Sequence, residues 1–94
     1  MKESCLTDKI KQYLKSVDGL FFFKEHGGQY GTGGIPDLIV CYRGQFIAFE
    51  VKTEKGKTTV MQEVTIRKII KAGGYATVVR SVEDVRAIIE SLRR

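Results

Sequence analysis

Two acidic residues and a lysine are the side chains of this sequence best suited to chemistry. Asp37 follows the only proline of the chain and precedes the apolar run 38–40. Glu50 and Lys52 stand two positions apart at the end of the next apolar stretch, 45–52. A carboxylate beside buried strand residues is costly unless it has a partner. We therefore expect these three side chains to meet in the folded chain.

The spacing of the three residues fits a tight hairpin. If residues 43–44 form a two-residue turn, Asp37 lies directly opposite Glu50 on the paired strand. Lys52 projects from the same face as Glu50, because side chains alternate along a strand. A loop with an odd number of residues, or a bulge, would shift this pairing by one. The expected arrangement is a cluster of three ionisable groups at the open end of an apolar sheet face.

Two opposed carboxylates favour a cation between them. Side chains that face each other across a ladder have Cβ atoms about 5 Å apart, and like charges there are destabilising. At an effective dielectric constant near 20, two such charges repel by roughly 3 kcal/mol. A ligand set of carboxylates suits Mg²⁺ or Mn²⁺ better than zinc. The alternative is that Lys52 alone supplies the opposite charge and that the cluster is structural.

Hydrolysis of a phosphate ester is the reaction that such a site supports. A divalent ion held by Asp37 and Glu50 would lower the pKa of a bound water and polarise a phosphate oxygen. Lys52 would orient the water or stabilise charge that develops on the phosphate. The 16 Lys and Arg against 11 Asp and Glu give a net charge of +5. This balance favours an anionic partner, nucleic acid first, with a basic surface kept for solubility as the alternative.

Length and composition indicate one small domain, residues 1–94, with 43% hydrophobic residues. No apolar run approaches the roughly 20 residues of a membrane span, and the first residues lack a signal-peptide pattern. We therefore expect a soluble, cytoplasmic protein with no membrane partner. Cys5 and Cys41 form neither a disulfide framework nor a zinc pattern, and we expect them to be buried free thiols.

The hydrophobic periodicity predicts three helices and four strands. Apolar residues at three- and four-residue steps predict a helix over 3–17, and the glycine-rich stretch 27–34 predicts a loop. That loop is not a phosphate-binding P-loop, because it lacks Gly-Lys-Ser/Thr and precedes a strand. The other predicted elements are strands over 20–23, 36–42, 45–52 and 75–80, a helix from Thr58 or Thr59 to about Ala72, and a last helix capped by Ser81. This order, α-β-β-β-α-β-α, indicates an α/β sheet layered with helices.

Both faces of the predicted hairpin are largely apolar, so both need cover. Three helices are available to supply it, and the apolar side of the second long helix consists of Val60, Met61, Val64, Ile69 and Ile70. An oligomer would bury what these helices leave exposed. We therefore expect a homodimer, whose two symmetry-related sites would suit cutting both strands of a duplex or a junction.

Pro36-Asp37, followed after twelve residues by Glu50-Val51-Lys52, resembles the PD-(D/E)xK motif. This motif marks a nuclease superfamily that includes many restriction enzymes and the archaeal Holliday junction resolvases. The predicted αβββαβ order is similar to the core of that superfamily, with the aspartate opening the second strand and E-x-K on the third. The resemblance implies a restriction-endonuclease-like fold, in which helices flank a mixed central sheet and a C-terminal helix is added.

A closer resemblance is to the virus-type replication–repair nuclease domain, VRR-NUC. Its pattern has a glutamate on the first helix, a glycine shortly before Pro-Asp, then E-V-K and G-x-x-S/T-x-x-Q. The matching residues here are Glu3, Gly34, Glu50-Val51-Lys52, Gly56, Thr59 and Gln62. The match spans nearly the whole chain, which resembles a stand-alone form of the domain.

The resemblance to VRR-NUC implies roles for the matching residues. Asp37 and Glu50 would be metal ligands together with the backbone carbonyl of Val51, and Lys52 would be the catalytic lysine. Glu3 would supply a further acid near the metal. The alternative for Glu3 is a negative charge that complements the N-terminal dipole of the first helix.

Residues downstream of the predicted site are expected to take part in catalysis or to hold the substrate. By the resemblance, Gln62 would contact the metal-bound water or the DNA backbone, with a solvent-facing glutamine as the alternative. Five basic residues on or just before the second long helix are candidates, as a group, for phosphate contacts: Lys55, Lys57, Arg67, Lys68 and Lys71. His26, the only histidine, borders the glycine loop and is a further candidate for a phosphate contact. The alternative for each of these residues is a solvated side chain.

These observations together predict a Mg²⁺- or Mn²⁺-dependent DNA endonuclease. The resemblance implies structured or branched DNA as the substrate, of the Holliday-junction or flap type, in replication, recombination or repair. The alternatives are a non-catalytic nucleic-acid-binding module of the same fold and a basic protein-interaction domain. RNA cleavage is a related enzymatic alternative that the sequence leaves open.

Overall fold

The helices and strands follow the order that the hydrophobic periodicity predicts. A computed structural model of the chain describes residues 1–25 and 33–93. Its elements are α1 (Glu3–Ser16), β1 (Leu20–Lys24), β2 (Leu38–Tyr42), β3 (Gln45–Val51), α2 (Val60–Lys71), β4 (Tyr75–Val79) and α3 (Val82–Ser91). The predicted α/β fold class is confirmed. Within the described residues, no helix has both the length and the apolar character needed to cross a membrane.

The four strands form one mixed sheet in the order β1-β2-β3-β4. The first three strands are antiparallel neighbours, and β4 pairs parallel to β3, so α2 is the crossover between them. In the β2–β3 hairpin Tyr42 pairs with Gln45, which is the predicted register. The two turn residues, Arg43 and Gly44, have φ angles of 54° and 79°. Positive φ at both positions suits the twist of the strands, so the hairpin closes without an extra residue.

The hydrophobic core lies between one sheet face and the helices α1 and α3. Alternate residues of β2 and β3 point to this face, and α1 contributes residues four positions apart. The fully buried side chains of this core include Ile10, Leu14, Leu38, Val40, Ile47, Phe49, Val51, Val79 and Val85. This face of the sheet is therefore closed by the chain's own helices.

The opposite sheet face is only partly covered, by α2. No residue of α2 is fully buried, and the exposed fractions of Val60, Met61 and Ile70 are 76%, 57% and 54%. The helix packs chiefly against β4 and does not extend over β1. The apolar side predicted for this helix therefore lies largely outside the core.

Four residues of this face remain exposed beside α2 and beyond its edge. Phe21 pairs with Cys41, and Cys41 pairs with Phe46, so these three form a row across β1, β2 and β3. Phe23 stands two residues from Phe21, with 6.4 Å between the ring centroids. The exposed fractions of Phe21, Phe23 and Phe46 are 68%, 47% and 48%. We call these four residues the open sheet face.

Both cysteines are free and exposed, so the prediction that they are buried is wrong. Cys41 belongs to the open sheet face, which no helix covers. Cys5 lies on the outer side of α1, while its neighbour Leu6 and the following Ile10 point into the core. Their sequence context did not distinguish these positions from core positions, because the exposure of each depends on which helix covers which face.

Candidate active site

Asp37 is fixed at the start of β2 by hydrogen bonds to both neighbouring strands. Its side-chain oxygen Oδ2 accepts a hydrogen bond from the backbone N–H of Val51 on β3 at 2.8 Å. Its backbone carbonyl accepts one from the N–H of Glu25, just after β1, also at 2.8 Å. The carboxylate is therefore held against the end of β3, where Glu50 and Lys52 lie.

Glu50 stands opposite Asp37 when the hairpin register is extended by one pair, and only 2% of it is exposed. Its Oε2 atom accepts a hydrogen bond from Gln62 Nε2 at 3.1 Å and lies 3.6 Å from Lys52 Nζ. Its Oε1 atom is buried and has no hydrogen-bond partner among the described residues. A buried polar atom without a partner needs an explanation, and a cation bound at Oε1 would supply one.

The surroundings of Glu50 raise the pKa of its carboxyl group from 4.5 to about 8. Burial is the largest cause, because it disfavours the charged form. The charge of Asp37 comes next, followed by a hydrogen bond that the protonated carboxyl group can donate to Asp37. Lys52 acts in the opposite direction, through its charge and its own hydrogen bond. The net effect is upward, so Glu50 carries a proton at neutral pH unless a metal cation replaces it.

The donor atoms at this site fit a hard divalent cation. Asp37 and Glu50 offer carboxylate oxygens, of which Oε1 of Glu50 is buried with no hydrogen-bond partner among the residues described. Mg²⁺ and Mn²⁺ prefer such oxygen ligands and complete their shells with carbonyls, water or substrate. Residues 1–25 and 33–93 contain no group of three or more His, Cys, Asp and Glu that could hold a metal. Two side chains would therefore bind the ion, and the carbonyl of Val51 stays a predicted third ligand.

Glu3 is the first residue of α1, and it is exposed. Its backbone carbonyl accepts a hydrogen bond from Thr7 Oγ1 at 3.0 Å. Because the described residues form no three-acid group, the structure does not bring Glu3 into a ligand set with Asp37 and Glu50. Its position fits a charge that complements the dipole of α1, and its role near a metal stays a prediction.

The first turn of α2 reaches the site through Gln62. Thr59 Oγ1 accepts a hydrogen bond from Gln62 N at 3.1 Å, and Gln62 Oε1 accepts one from Thr59 N at 2.9 Å. This reciprocal pair is a capping box, which begins α2 at the predicted position. The amide nitrogen of Gln62 is left to donate to Glu50. Sequence reasoning had placed Gln62 near the site but had not predicted its contact with the carboxylate.

Gly34 allows α2 to approach the segment that precedes Asp37. Its φ angle is +81°, and a Cβ atom there would lie 2.6 Å from the carbonyl oxygen of Met61 and 3.0 Å from Thr65 Oγ1. The backbone of Met61, at 2.6 Å, could make room for a Cβ atom only if the helix moved. Glycine therefore fits this position for both its conformation and its size. The glycine of the VRR-NUC pattern thus has a packing role in this chain.

The five basic residues predicted to contact phosphate are all exposed. They lie on the β3–α2 loop and along α2, and they are Lys55, Lys57, Arg67, Lys68 and Lys71. None of them forms an ion pair with another residue of the described part of the chain. Their charges are thus available to an anionic partner. His26 lies outside the described residues.

Arg80, which sequence reasoning missed, anchors the β3–α2 loop. Its Nη1 atom donates to the backbone carbonyls of Thr53 at 2.7 Å, Gly56 at 2.8 Å and Glu54 at 3.3 Å. The loop that carries two of the basic residues is therefore held at the end of β4. An arginine whose partners lie 24 to 27 positions earlier has no local signal that could have revealed this role.

The same fold occurs in solved structures of similar extent. One, described as a VRR_NUC domain, matches with a TM-score of 0.77 and 29% identity, covering 94% of this chain and 94% of that chain. Another, described as a VRR_NUC domain protein, matches with a TM-score of 0.76 and 20% identity, covering 96% of this chain and 86% of that chain. No family model matches the sequence, and no curated protein matches it either.

The αβββαβ order, the mixed sheet and the matching solved structures define the class of this protein as one with a nuclease-family fold. Within that class, the resemblance to VRR-NUC seen in the sequence is confirmed. The chain has the fold of a VRR-NUC domain over nearly its whole length.

Proposed function

We propose that the chain is a Mg²⁺- or Mn²⁺-dependent DNA endonuclease that hydrolyses phosphodiester bonds of structured or branched DNA, such as Holliday junctions or flaps. The observation that carries the proposal is the Oε1 atom of Glu50, which is buried beside Asp37 and has no hydrogen-bond partner in the part of the chain that the structure describes. A structural ion pair with Lys52 would not account for it, because Lys52 approaches the other oxygen. The likeness to VRR_NUC structures supports the same reaction class.

Each residue of the site has a separate task in this proposal. Asp37 and Glu50 bind the cation from opposite strands of the hairpin, and the bound ion supplies Lewis-acid activation of water and phosphate. Lys52 is tethered through its contact with Glu50, while 14% of its side chain stays exposed toward a substrate. Its ammonium group can orient the attacking water or stabilise negative charge that develops on the phosphate.

The basic residues on the β3–α2 loop and α2 support DNA as the partner. Lysine and arginine contacts to phosphate give affinity and position the substrate without reading its sequence. Arg80 adds to this by fixing the backbone of the loop that carries Lys55 and Lys57. We therefore propose that this side of the molecule holds the DNA backbone while the site acts on one phosphodiester bond.

Cleavage assays with Mn²⁺ test the proposal on duplex, single-stranded, flapped and four-way DNA, and on RNA of the same sequences. We expect Asp37→Asn and Lys52→Ala to abolish cleavage while DNA binding, measured by fluorescence anisotropy, stays within about threefold of the parent. Lys15→Ala, which removes an exposed lysine in the last turn of α1, is the matched control and should cleave normally. Undiminished cleavage by either site variant would contradict the proposed role of that residue in catalysis.

The same experiment separates the proposal from its alternatives. A non-catalytic nucleic-acid-binding module would bind DNA but would show no metal-dependent cleavage of any substrate. A basic protein-interaction domain would bind neither DNA nor RNA at physiological salt. Cleavage confined to RNA would keep the site and change the substrate.

We also propose that a second copy of the chain covers the open sheet face. Its three phenylalanines expose a few hundred Å² of contiguous apolar surface, which is as large as the largest patch of a typical monomer. A stable interface buries about 800 Å² on each partner around an apolar centre, and a two-fold axis through this face would bring the same rings together from both copies. The patch therefore has the composition and size of the centre of a homodimer interface.

A further inference from the structure

The contacts of Gln62 use both the oxygen and the nitrogen of its amide group. Its oxygen accepts from Thr59 N at 2.9 Å inside the capping box, and its nitrogen donates to Glu50 Oε2 at 3.1 Å. The reverse orientation would set the amide N–H groups against the N–H of Thr59 and its oxygen against the carboxylate. Both of those contacts are repulsive, so the orientation is fixed at both ends.

Two donors thereby converge on one oxygen of Glu50. Gln62 Nε2 and Lys52 Nζ both approach Oε2, and none of the residues 1–25 and 33–93 offers Oε1 a hydrogen bond. A carboxylate held in this way has one rotational position, in which Oε2 is engaged and Oε1 is the oxygen left for a proton or a metal. Gln62 does not belong to the ligand set itself, and it acts on the site only through the carboxylate that it holds.

We propose that Thr59 and Gln62 form a positioning unit that presents Oε1 of Glu50 to the metal ion. Thr59 orients the Gln62 amide through the capping box, and Gln62 fixes the carboxylate. The proposal rests on the proposed function, since it takes Asp37 and Glu50 as the ligands of a divalent cation. It changes the predicted role of Gln62 from a catalytic residue to a positioning residue, and it gives Thr59 a role beyond starting α2.

Hydrogen-bond partners of metal ligands influence metal affinity strongly, and their loss typically costs about 10- to 100-fold. Gln62→Met keeps the length of the side chain and removes both amide contacts, so we expect it to weaken Mn²⁺ binding by about 10- to 100-fold. Thr59→Val keeps the shape of threonine and removes the hydroxyl group. The backbone N–H of residue 59 still holds the Gln62 amide, but the bond from Gln62 N to the hydroxyl group is lost and the first turn of α2 loosens, so we expect a smaller loss, on the order of 3- to 10-fold.

Isothermal titration of the full chain with Mn²⁺, in the absence of DNA, measures these affinities directly. Thermal unfolding with and without Mn²⁺ gives a second readout, because metal that binds only the folded state raises the melting temperature. Thr59→Ser restores the hydroxyl group and should recover the affinity of the parent. Ser81→Ala is the matched control: Ser81 Oγ caps α3 by accepting the same type of bond, from Asp84 N at 3.0 Å, and this helix supplies none of the side chains that hold Glu50 Oε2. It should lower the melting temperature as the loss of a cap does, while the Mn²⁺ affinity stays unchanged.

The outcomes that would overturn the inference differ from those that would overturn the proposed function. If the parent binds Mn²⁺ and Gln62→Met binds it equally well, the positioning unit does not exist and the nuclease proposal stands. If Thr59→Val binds Mn²⁺ as tightly as Thr59→Ser and the parent, the hydroxyl group of Thr59 does not help to place Gln62 and the inference fails in that part. If the parent itself binds no Mn²⁺, both the inference and the proposed metal site are wrong.

Discussion

At the scale of single residues, the site is a pair of opposed carboxyl groups, of which Glu50 holds a proton when no metal is bound. The spacing of Asp37 and Glu50 predicted their opposition and the repulsion between them. The structure adds that Glu50 is buried and that the pKa of its carboxyl group is raised to about 8. A proton on Glu50 can therefore relieve the repulsion between the two groups, a role for which the sequence predicts a metal ion. Burial could not be read from the sequence, because it depends on how closely α2 approaches β3.

The raised pKa of Glu50 makes the stability of the metal-free protein depend on pH. Between pH 4.5 and about 8 the unfolded chain ionises this group while the folded chain retains its proton. The folded state then binds more protons, so the free energy of unfolding falls as the pH rises through this window. We expect the melting temperature in EDTA to fall from pH 5 to pH 8 more steeply for the parent than for Asp37→Asn. A fall of the same steepness in both proteins would contradict the contribution of Asp37 to the raised pKa of Glu50.

The same variant tests whether Asp37 is needed for the fold. An asparagine oxygen can keep the hydrogen bond from Val51 N, and its amide can donate to Glu50, so the variant loses only the repulsive charge. We expect Asp37→Asn to melt in EDTA at pH 8 at the same temperature as the parent or a higher one. Circular dichroism against temperature measures this. A large decrease would mean that the charge of Asp37 is structural.

Metal binding should release a proton from Glu50. Below the pKa of Glu50, which is about 8, a cation must displace that proton. The affinity for the metal should therefore fall about tenfold for each unit by which the pH is lowered. We expect the dissociation constant for Mn²⁺ to decrease about tenfold from pH 6.5 to 7.5 and to level off above pH 8. Titrations in buffers with different heats of protonation count the released proton directly. Equal affinity across this range would show that metal binding releases no proton from Glu50.

At the scale of elements, the hairpin was predictable and the placement of α2 was not. A two-residue turn fixes the register of its strands, so residues 43–44 were enough to set Asp37 opposite Glu50. The start of α2 was also predictable from Thr59. The position of this helix over the sheet depends instead on contacts between distant residues, above all those of Gly34 with Met61 and of Gln62 with Glu50.

Gly34→Ala tests the contact between α2 and the segment before β2. A left-handed alanine costs roughly 1–2 kcal/mol, and forcing a methyl group against the backbone of Met61 adds about 1–3 kcal/mol. Gly19→Ala is the matched control, since Gly19 has a φ of +72° and open space around it. We expect urea unfolding to show a loss at Gly34 that exceeds the loss at Gly19 by at least about 1 kcal/mol. Equal losses would mean that α2 is free to move away from Gly34.

At the scale of the whole molecule, the two sheet faces differ in how far helices cover them. The chain's own helices close the face that packs on α1 and α3, while α2 leaves the other face open beside the site. The sequence showed that both faces are apolar and that three helices are few. It could not show which residues would stay uncovered, because a helix as short as α2 can lie over only part of a four-stranded sheet.

The proposed homodimer can be tested through the residues of the open sheet face. If a second copy covers it, light scattering at micromolar concentration should give about twice the chain mass of 10.6 kDa. Replacing Phe21 and Phe23 together by serine should yield a folded monomer, because neither ring belongs to the core. Val60→Ser is the control: it removes an apolar side chain that is 76% exposed on α2, so the dimer should persist. A monomeric parent whose DNA affinity falls in the double variant would show instead that the rings stack on unpaired bases, and the dimer proposal would be wrong.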